Sequence, residues 1–331
     1  MIFSISSVVC ILCRLFFGSK LYTICYNRYM SSIIFSILAI YIFIVIGFVA
    51  KMSFKEAIDD KTITLINVYF LQVFLTFWGL LIRPVDATLF FAPSIYLFIV
   101  LLVLIISALV AKRLFEDKKE YSIAAVAAII GNTGNLGIPL NIAIFGEESI
   151  PYTTVINLMN VFVVYTIGVY YYSRGSFDVK TSLKNIVKLP ILWAAGAAIF
   201  LSMNDYKPSE EIMKMLMMGA YASIVMQLFL FGIYLYGTKI NEISKKLTLW
   251  VISTKFIFLP GIAFLVLYNI ELDSMLKGII FIELMVPLAI ANVNFASLYD
   301  CKPKVVTALV FISSAIFMGA IFAGVKVLTY L

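Results

Sequence analysis

The sequence predicts an all-α polytopic membrane protein: ten transmembrane helices in two inverted five-helix repeats, with helices four and nine interrupted. Three observations carry this. The 331-residue chain is 63% hydrophobic and only 13% charged, with a mean hydropathy of +1.05. Uncharged or nearly uncharged runs recur ten times along it. The fourth run of each half is broken by proline with asparagines nearby.

Composition excludes several classes. A soluble domain is about a quarter charged, far above this chain. The net charge of +7 is of the kind that basic loops give membrane proteins, so it implies a lipid bilayer and no nucleic-acid partner. There is no histidine, which removes the commonest metal ligand and the usual general base. Cys10 and Cys13 form a lone C-x-x-C among Ile, Leu and Val. A zinc site needs two further ligands, so these read as apolar filler. Cys25 and Cys301 stand apart. The expectation is a protein that is not an enzyme and holds no metal and no cofactor.

The chain then reads in order. Residues 1–29 form an N-terminal extension. Its apolar start has no preceding basic residue, unlike a signal peptide, and is short for a span. Arg14, Lys20 and Arg28 follow, and Met30 stands just before the first convincing span. Met30 is therefore a candidate native start; the other reading lays the extension along the membrane surface. Uncharged runs follow at 31–50, 62–82, 87–111, 121–146, 149–173, 189–204, 215–238 and 305–325. Two more carry one charge each: 247–270 holds Lys255 and 278–299 holds Glu283. A span needs roughly 20 residues, so 189–204 is the weakest. The polar linker 174–188 separates a first repeat, 30–173, from a second, 189–331.

Loop charge sets the orientation. The odd-numbered loops hold sixteen Lys and Arg, the even-numbered loops four. Basic loops stay in the cytoplasm, so both ends of the ten-helix core face outside a plasma membrane. With five spans per half, the second half enters from the opposite face, which gives an inverted repeat.

The interruptions match between halves. The fourth span contains Gly131-Asn132-Thr133-Gly134-Asn135-Leu136-Gly137-Ile138-Pro139. Proline lacks an amide hydrogen and glycine weakens a helix interior. Unpaired backbone groups cost several kcal/mol in lipid, so such a break must be buried in protein or line a wet cavity. The ninth span contains Val286-Pro287-Leu288-Ala289-Ile290-Ala291-Asn292-Val293-Asn294. Paired interruptions at corresponding positions point to a binding site near the midplane.

At these residues the sequence resembles the auxin efflux carrier family, which includes plant auxin carriers and bacterial permeases. The Gly131–Pro139 run carries the resemblance. Pro287 with Asn292, and Lys255 ahead of Pro260, support it over about 30–331. The resemblance implies that spans one, two, six and seven form a scaffold and dimer interface. Spans three to five and eight to ten would form a mobile unit in which the two broken helices cross at the substrate. Access would alternate by an elevator movement in a homodimer. Bacterial relatives are associated with small carboxylates such as malate or malonate, plant relatives with auxin. Two departures stand out. The second span has Gln72 near the family's usual proline, and Glu283 is not part of the family pattern.

The candidate substrate residues are Asn132, Thr133, Gly134, Asn135, Pro139, Pro287, Asn292 and Asn294. Amides here can bind a carboxylate or merely satisfy the unwound backbone. Exposed half-helix amino ends present partial positive charge to an anion. Asn157 and Asn160, three apart in span five, either glue helices or line the site. Gln72 and Gln227 read as glue or scaffold. Lys255 and Glu283 are the ionisable side chains well inside spans, where charge is costly and usually functional or paired. Glu283 is the candidate carrier of a coupling proton, and Lys255 stands for a coupling cation or faces the substrate. The alternative is that the two pair, or that Lys255 snorkels. The glycine run lacks the Gly-Lys-Ser/Thr ending of a phosphate loop. The function expected is a secondary carrier for a small organic anion, driven by H+, Na+ or the membrane potential. The alternative is a non-transporting membrane sensor with a carrier fold.

Overall fold

The computed structural model describes residues 35, 38–82, 87–173, 187–236 and 244–331. The extension 1–29, with Cys10, Cys13 and Cys25, and most of the linker 174–188 lie outside the described residues.

Among the described residues the regular structure is helical, which is how a chain in lipid satisfies its own backbone. In chain order the helices are α1 Leu38–Ala57, α2 Thr62–Leu81, α3 Leu89–Leu114, α4 Lys118–Val126, and α5 Thr133–Phe145 and α6 Glu147–Tyr172. Then come α7 Pro190–Met203, α8 Glu210–Leu235 and α9 Lys245–Tyr268. The chain closes with α10 Ser274–Met285, α11 Ala291–Leu298 and α12 Pro303–Tyr330. Seven of these, α1, α2, α3, α6, α8, α9 and α12, are long and apolar enough to cross a membrane. The apolar runs at 121–146 and 278–299 instead each hold two short helices, α4 with α5 and α10 with α11. The weak run at 189–204 becomes the 14-residue α7. Pro190 starts it, and Asp205, with φ 54°, turns the chain away after it.

Side-chain caps fix several helix starts. Asp117 accepts from the Glu120 N–H at 2.8 Å, and Asp273 from the N–H groups of Met275 and Leu276 at 2.9 and 3.2 Å. Each satisfies donors that a first helical turn leaves free. Near the Asp117 cap, Lys302 reaches Glu120 at 2.8 Å and Asp117 at 3.4 Å. This ties the start of α4 to the start of α12.

The helices pack in two groups. α2 lies along α7 and α8, while α3, α4, α5, α6, α9 and α10 pack on one another. α1 meets α8 through glycines: a Cβ on Gly47 would run into the Phe229 carbonyl, and one on Gly232 into the Ile44 carbonyl. Small residues let two helices approach to backbone contact, and in lipid that packing replaces the missing hydrophobic drive. Every residue from Ile123 to Ile130 is buried, and four of them are alanines. Apolar side chains such as Phe98, Leu109, Trp193 and Leu265 face outward, as a chain solvated by lipid requires.

Wide π-helical turns interrupt four helices among the described residues, at Asn67–Leu71, Thr133–Gly137, Val164–Gly168 and Thr254–Phe258. Such turns cluster at functional sites. In α2 the wide turn Asn67–Leu71 directly precedes Gln72, where the resemblance leads one to expect a proline.

Candidate functional site

The helix α4 ends at Val126, and regular helix resumes only at Thr133. The break therefore precedes Pro139 by more than a turn. Pro139 sits near the start of the regular α-helix Ile138–Phe145, where its missing N–H costs little. The second break lies at its proline. A residue before proline is pushed out of helical geometry, and Val286 is extended at φ −50°, ψ 148°.

The two breaks meet. Gly131 and Leu288 form an isolated antiparallel bridge. Asn132 donates its backbone N–H to the Pro287 carbonyl at 2.8 Å, and Ala289 donates to the Ile130 carbonyl at 2.9 Å. Side chains complete the accounting. Asn292 Nδ2 donates to the carbonyls of Ile130 and Ala289 at 3.1 and 3.0 Å, and Tyr172 donates its hydroxyl to Asn292 Oδ1 at 2.9 Å. Asn160 Nδ2 donates to the Gly131 carbonyl at 3.0 Å and to Thr133 Oγ1 at 2.9 Å, while Tyr96 donates to Asn160 Oδ1 at 3.1 Å. The Ser313 hydroxyl accepts from the Leu288 N–H at 3.2 Å. Unwound backbone at this depth survives because its polar groups find such partners.

A cavity of about 210 Å³ opens against this crossing. Asn132, Thr133, Gly134, Asn135, Asn157, Asn160 and Asn294 line it, together with Gln72. Pro139, Pro287 and Asn292 do not; the prolines shape the breaks, and Asn292 spends its amide on the crossing. Gln227 is buried away from the cavity and donates to Ser223. No lining residue is charged. Thr133 donates a hydrogen bond from its hydroxyl to Asn157 Oδ1 at 2.8 Å. Asn132 Nδ2 has no hydrogen-bond partner, and Asn135 and Asn294 keep partial contact with solvent.

The polarity of the cavity comes from its helix ends. Thr133, Gly134 and Asn135 are the first turn of α5, and Ala291 is the first residue of α11. First-turn N–H groups lack intrahelical acceptors. At α5 these N–H groups offer partial positive charge to the space. At α11 the N–H groups of Asn292 and Val293 already bond to the Ala289 and Ile290 carbonyls, so that helix contributes through its dipole.

Lys255 and Glu283 lie outside the cavity lining and are both buried. Lys255 donates to the Leu284 carbonyl at 3.0 Å, at the carboxyl end of α10, where a cation meets the negative end of the helix dipole. Its ammonium also flanks Gly131: a Cβ there would stand 3.2 Å from Nζ. Glu283 Oε1 accepts from Asn141 Nδ2 at 2.9 Å and from the Thr153 hydroxyl. Its Oε2 has no hydrogen-bond partner and packs against Gly137.

Sequence reasoning missed Asn141, Thr153 and the cavity wall formed by α2 and α8. There Thr64 and Tyr234 share a hydrogen bond at 2.6 Å, and Asn67 accepts from Ser223 at 3.1 Å. Asn141 carried a visible signal, a polar residue one turn beyond Gly137 in an apolar run. Thr153 and Thr64 carried none, because threonine is common in membrane helices at no cost.

A family profile described as membrane transport protein matches residues 32–322. An uncharacterized transporter of Methanocaldococcus jannaschii is 26% identical to the chain over 230 residues, covering 67% of this chain and 73% of that protein.

Proposed function

Because the chain belongs to the auxin efflux carrier family of membrane transport proteins, we propose that it is a secondary active carrier for a small organic anion. The substrate is a carboxylate of the malate, malonate or auxin-like kind. One observation carries this reading above the rest: two helix amino ends and unpartnered amide donors converge on a small cavity with no charged wall. Backbone dipoles and neutral amides hold a carboxylate without the desolvation cost of a buried ion pair.

Counting α4 with α5 and α10 with α11 as single interrupted crossings, and adding α7, gives ten spans. Two inverted halves of five then follow from the loop charges. In this arrangement α1, α2, α7 and α8 are the fixed scaffold, and the other helices are the unit that slides in elevator fashion. Thr64, Leu189 and Tyr234, in the wall away from the crossing, stand at helix ends next to the basic loops; with those loops in the cytoplasm, the cavity is inward-facing in this reading. The contact that closes the other side sets α2 against α6, where Gly79 packs on Ile150 and Thr154. The protein is placed in the plasma membrane, both ends of its core outside, as a homodimer joined through the scaffold.

Counterflow in proteoliposomes with a panel of dicarboxylates, monocarboxylates and indole acids tests the reading. At least one anion accumulates with the wild type, and Asn132→Ala abolishes that accumulation. Binding of an anion without flux would instead identify a sensor, and normal counterflow in Asn132→Ala would remove the assigned site.

A further inference from the structure

The pair behind the crossing has a geometry that goes beyond holding the helices together. Glu283 is buried with one oxygen accepting two hydrogen bonds and the other accepting none. It reaches two other helices: Asn141 on α5 and Thr153 on α6. Around it, the facing ionisable groups are Lys255 from α9 and Tyr96 from α3. The hydroxyl of Tyr96 is committed to Asn160. Glu147 and Glu148, between α5 and α6, are exposed. On α10 itself Lys277 lies two turns earlier, and α12 meets α10 through Gly324 against Met285. Lys255 spends its hydrogen bond on Leu284 rather than on Glu283.

We propose that Glu283 binds one proton per turnover, and that Lys255 and Glu283 together make transport a one-to-one movement of a proton with a singly charged anion. This rests on the anion-carrier reading above. The proton leaves hydronium in the water on one side, forms an O–H bond at Oε2, and returns to water on the other side; no electrons change hands.

The argument is one of charge balance. A net charge inside a membrane-embedded unit is expensive to move through lipid. With no substrate and Glu283 ionised, Lys255 and Glu283 cancel, so the empty unit moves. With an anion bound and Glu283 protonated, Lys255 and the anion cancel, so the loaded unit also moves. The remaining states, anion without proton or proton without anion, carry a net charge and stay. The side chains that line the cavity are neutral, so no full charge other than Lys255 offsets the substrate. A doubly charged dicarboxylate would leave one charge uncompensated, so the monoprotonated form or a monocarboxylate is the transported species.

The test uses the full chain in proteoliposomes, with malonate and indole-3-acetate as probes and a pH dye inside. The wild type takes up one proton per monoanion, driven by a pH gradient and indifferent to a clamped membrane potential. Glu283→Gln still exchanges anion for anion, because its loaded state is neutral. Its net pH-driven uptake falls roughly a hundredfold, the penalty for returning empty with one charge. Lys255→Met loses exchange as well. Potential-driven uptake in the wild type, a sodium requirement at fixed pH, or unchanged pH coupling in Glu283→Gln would each overturn the proposal. If no probe moves at all, the anion reading fails, and infrared titration judges the proton site alone. A carboxylic-acid carbonyl band that titrates with pH, shifts in Thr153→Val and vanishes in Glu283→Gln supports it; absence of that band overturns it.

Discussion

Gly131 and Lys255 stand on either side of one van der Waals gap: a Cβ on the glycine would come within 3.2 Å of the ammonium and 3.1 Å of a Val286 methyl. The glycine is needed for space, not for unusual backbone angles. It lets the extended strand of one break lie flat on the other while a buried cation sits beside it. The crossing, the cation and the neighbouring carboxylate are therefore one packed unit.

The first prediction concerns that gap. Gly131→Ala asks a flexible lysine tip and a methyl to yield a few tenths of an ångström, and costs about 1–3 kcal/mol. Gly131→Val adds branches with nowhere to go and prevents assembly of the crossing. Thermal unfolding in detergent ranks the three proteins, and equal melting of wild type and Gly131→Val would contradict this packing.

The two asparagines of the motifs separate by role. Asn132 keeps an unpartnered amide in the cavity wall, whereas Asn292 holds the carbonyls of Ile130 and Ala289. Asn132→Ala loses transport and melts close to wild type. Asn292→Ala leaves each carbonyl with only its backbone donor, the N–H of Ala289 or of residue 292. It also leaves the buried Tyr172 hydroxyl unpaired, at about 1–3 kcal/mol for that group, so it loses transport and melting temperature together. Paired uptake and melting measurements decide; an Asn292→Ala protein as stable as wild type would show that those bonds are dispensable.

A third prediction concerns the contact between α1 and α8. Gly232→Ala places a methyl against backbone atoms of Ile44 and Phe48 in α1, which cannot swing aside. It separates α1 from α8 and destabilises the protein by more than Gly131→Ala. Gly261, with nothing within 4 Å of an added Cβ, serves as the control, and Gly261→Ala changes melting within about 0.5 kcal/mol. Equal effects at 232 and 261 would refute the backbone contact between α1 and α8.

The sequence by itself determined the membrane class, the positions of the long apolar helices and the loss of helix at Pro287. Those features are local: hydropathy is a sum over a run, and proline before or within a run acts on its nearest turn. Asparagines at the breaks were equally legible as site candidates, since polar groups in an apolar run are expensive unless used. Only the tertiary structure decided which of them face the cavity and which are spent on backbone. It set the first break at 127–132 rather than at Pro139, and it brought Thr153 to a carboxylate 130 residues away. A hydrogen-bond partner is a matter of where a returning chain lands. In a bundle of apolar helices many registers bury similar surface, so close packing at glycines and the pairing of every buried polar group select the one that forms.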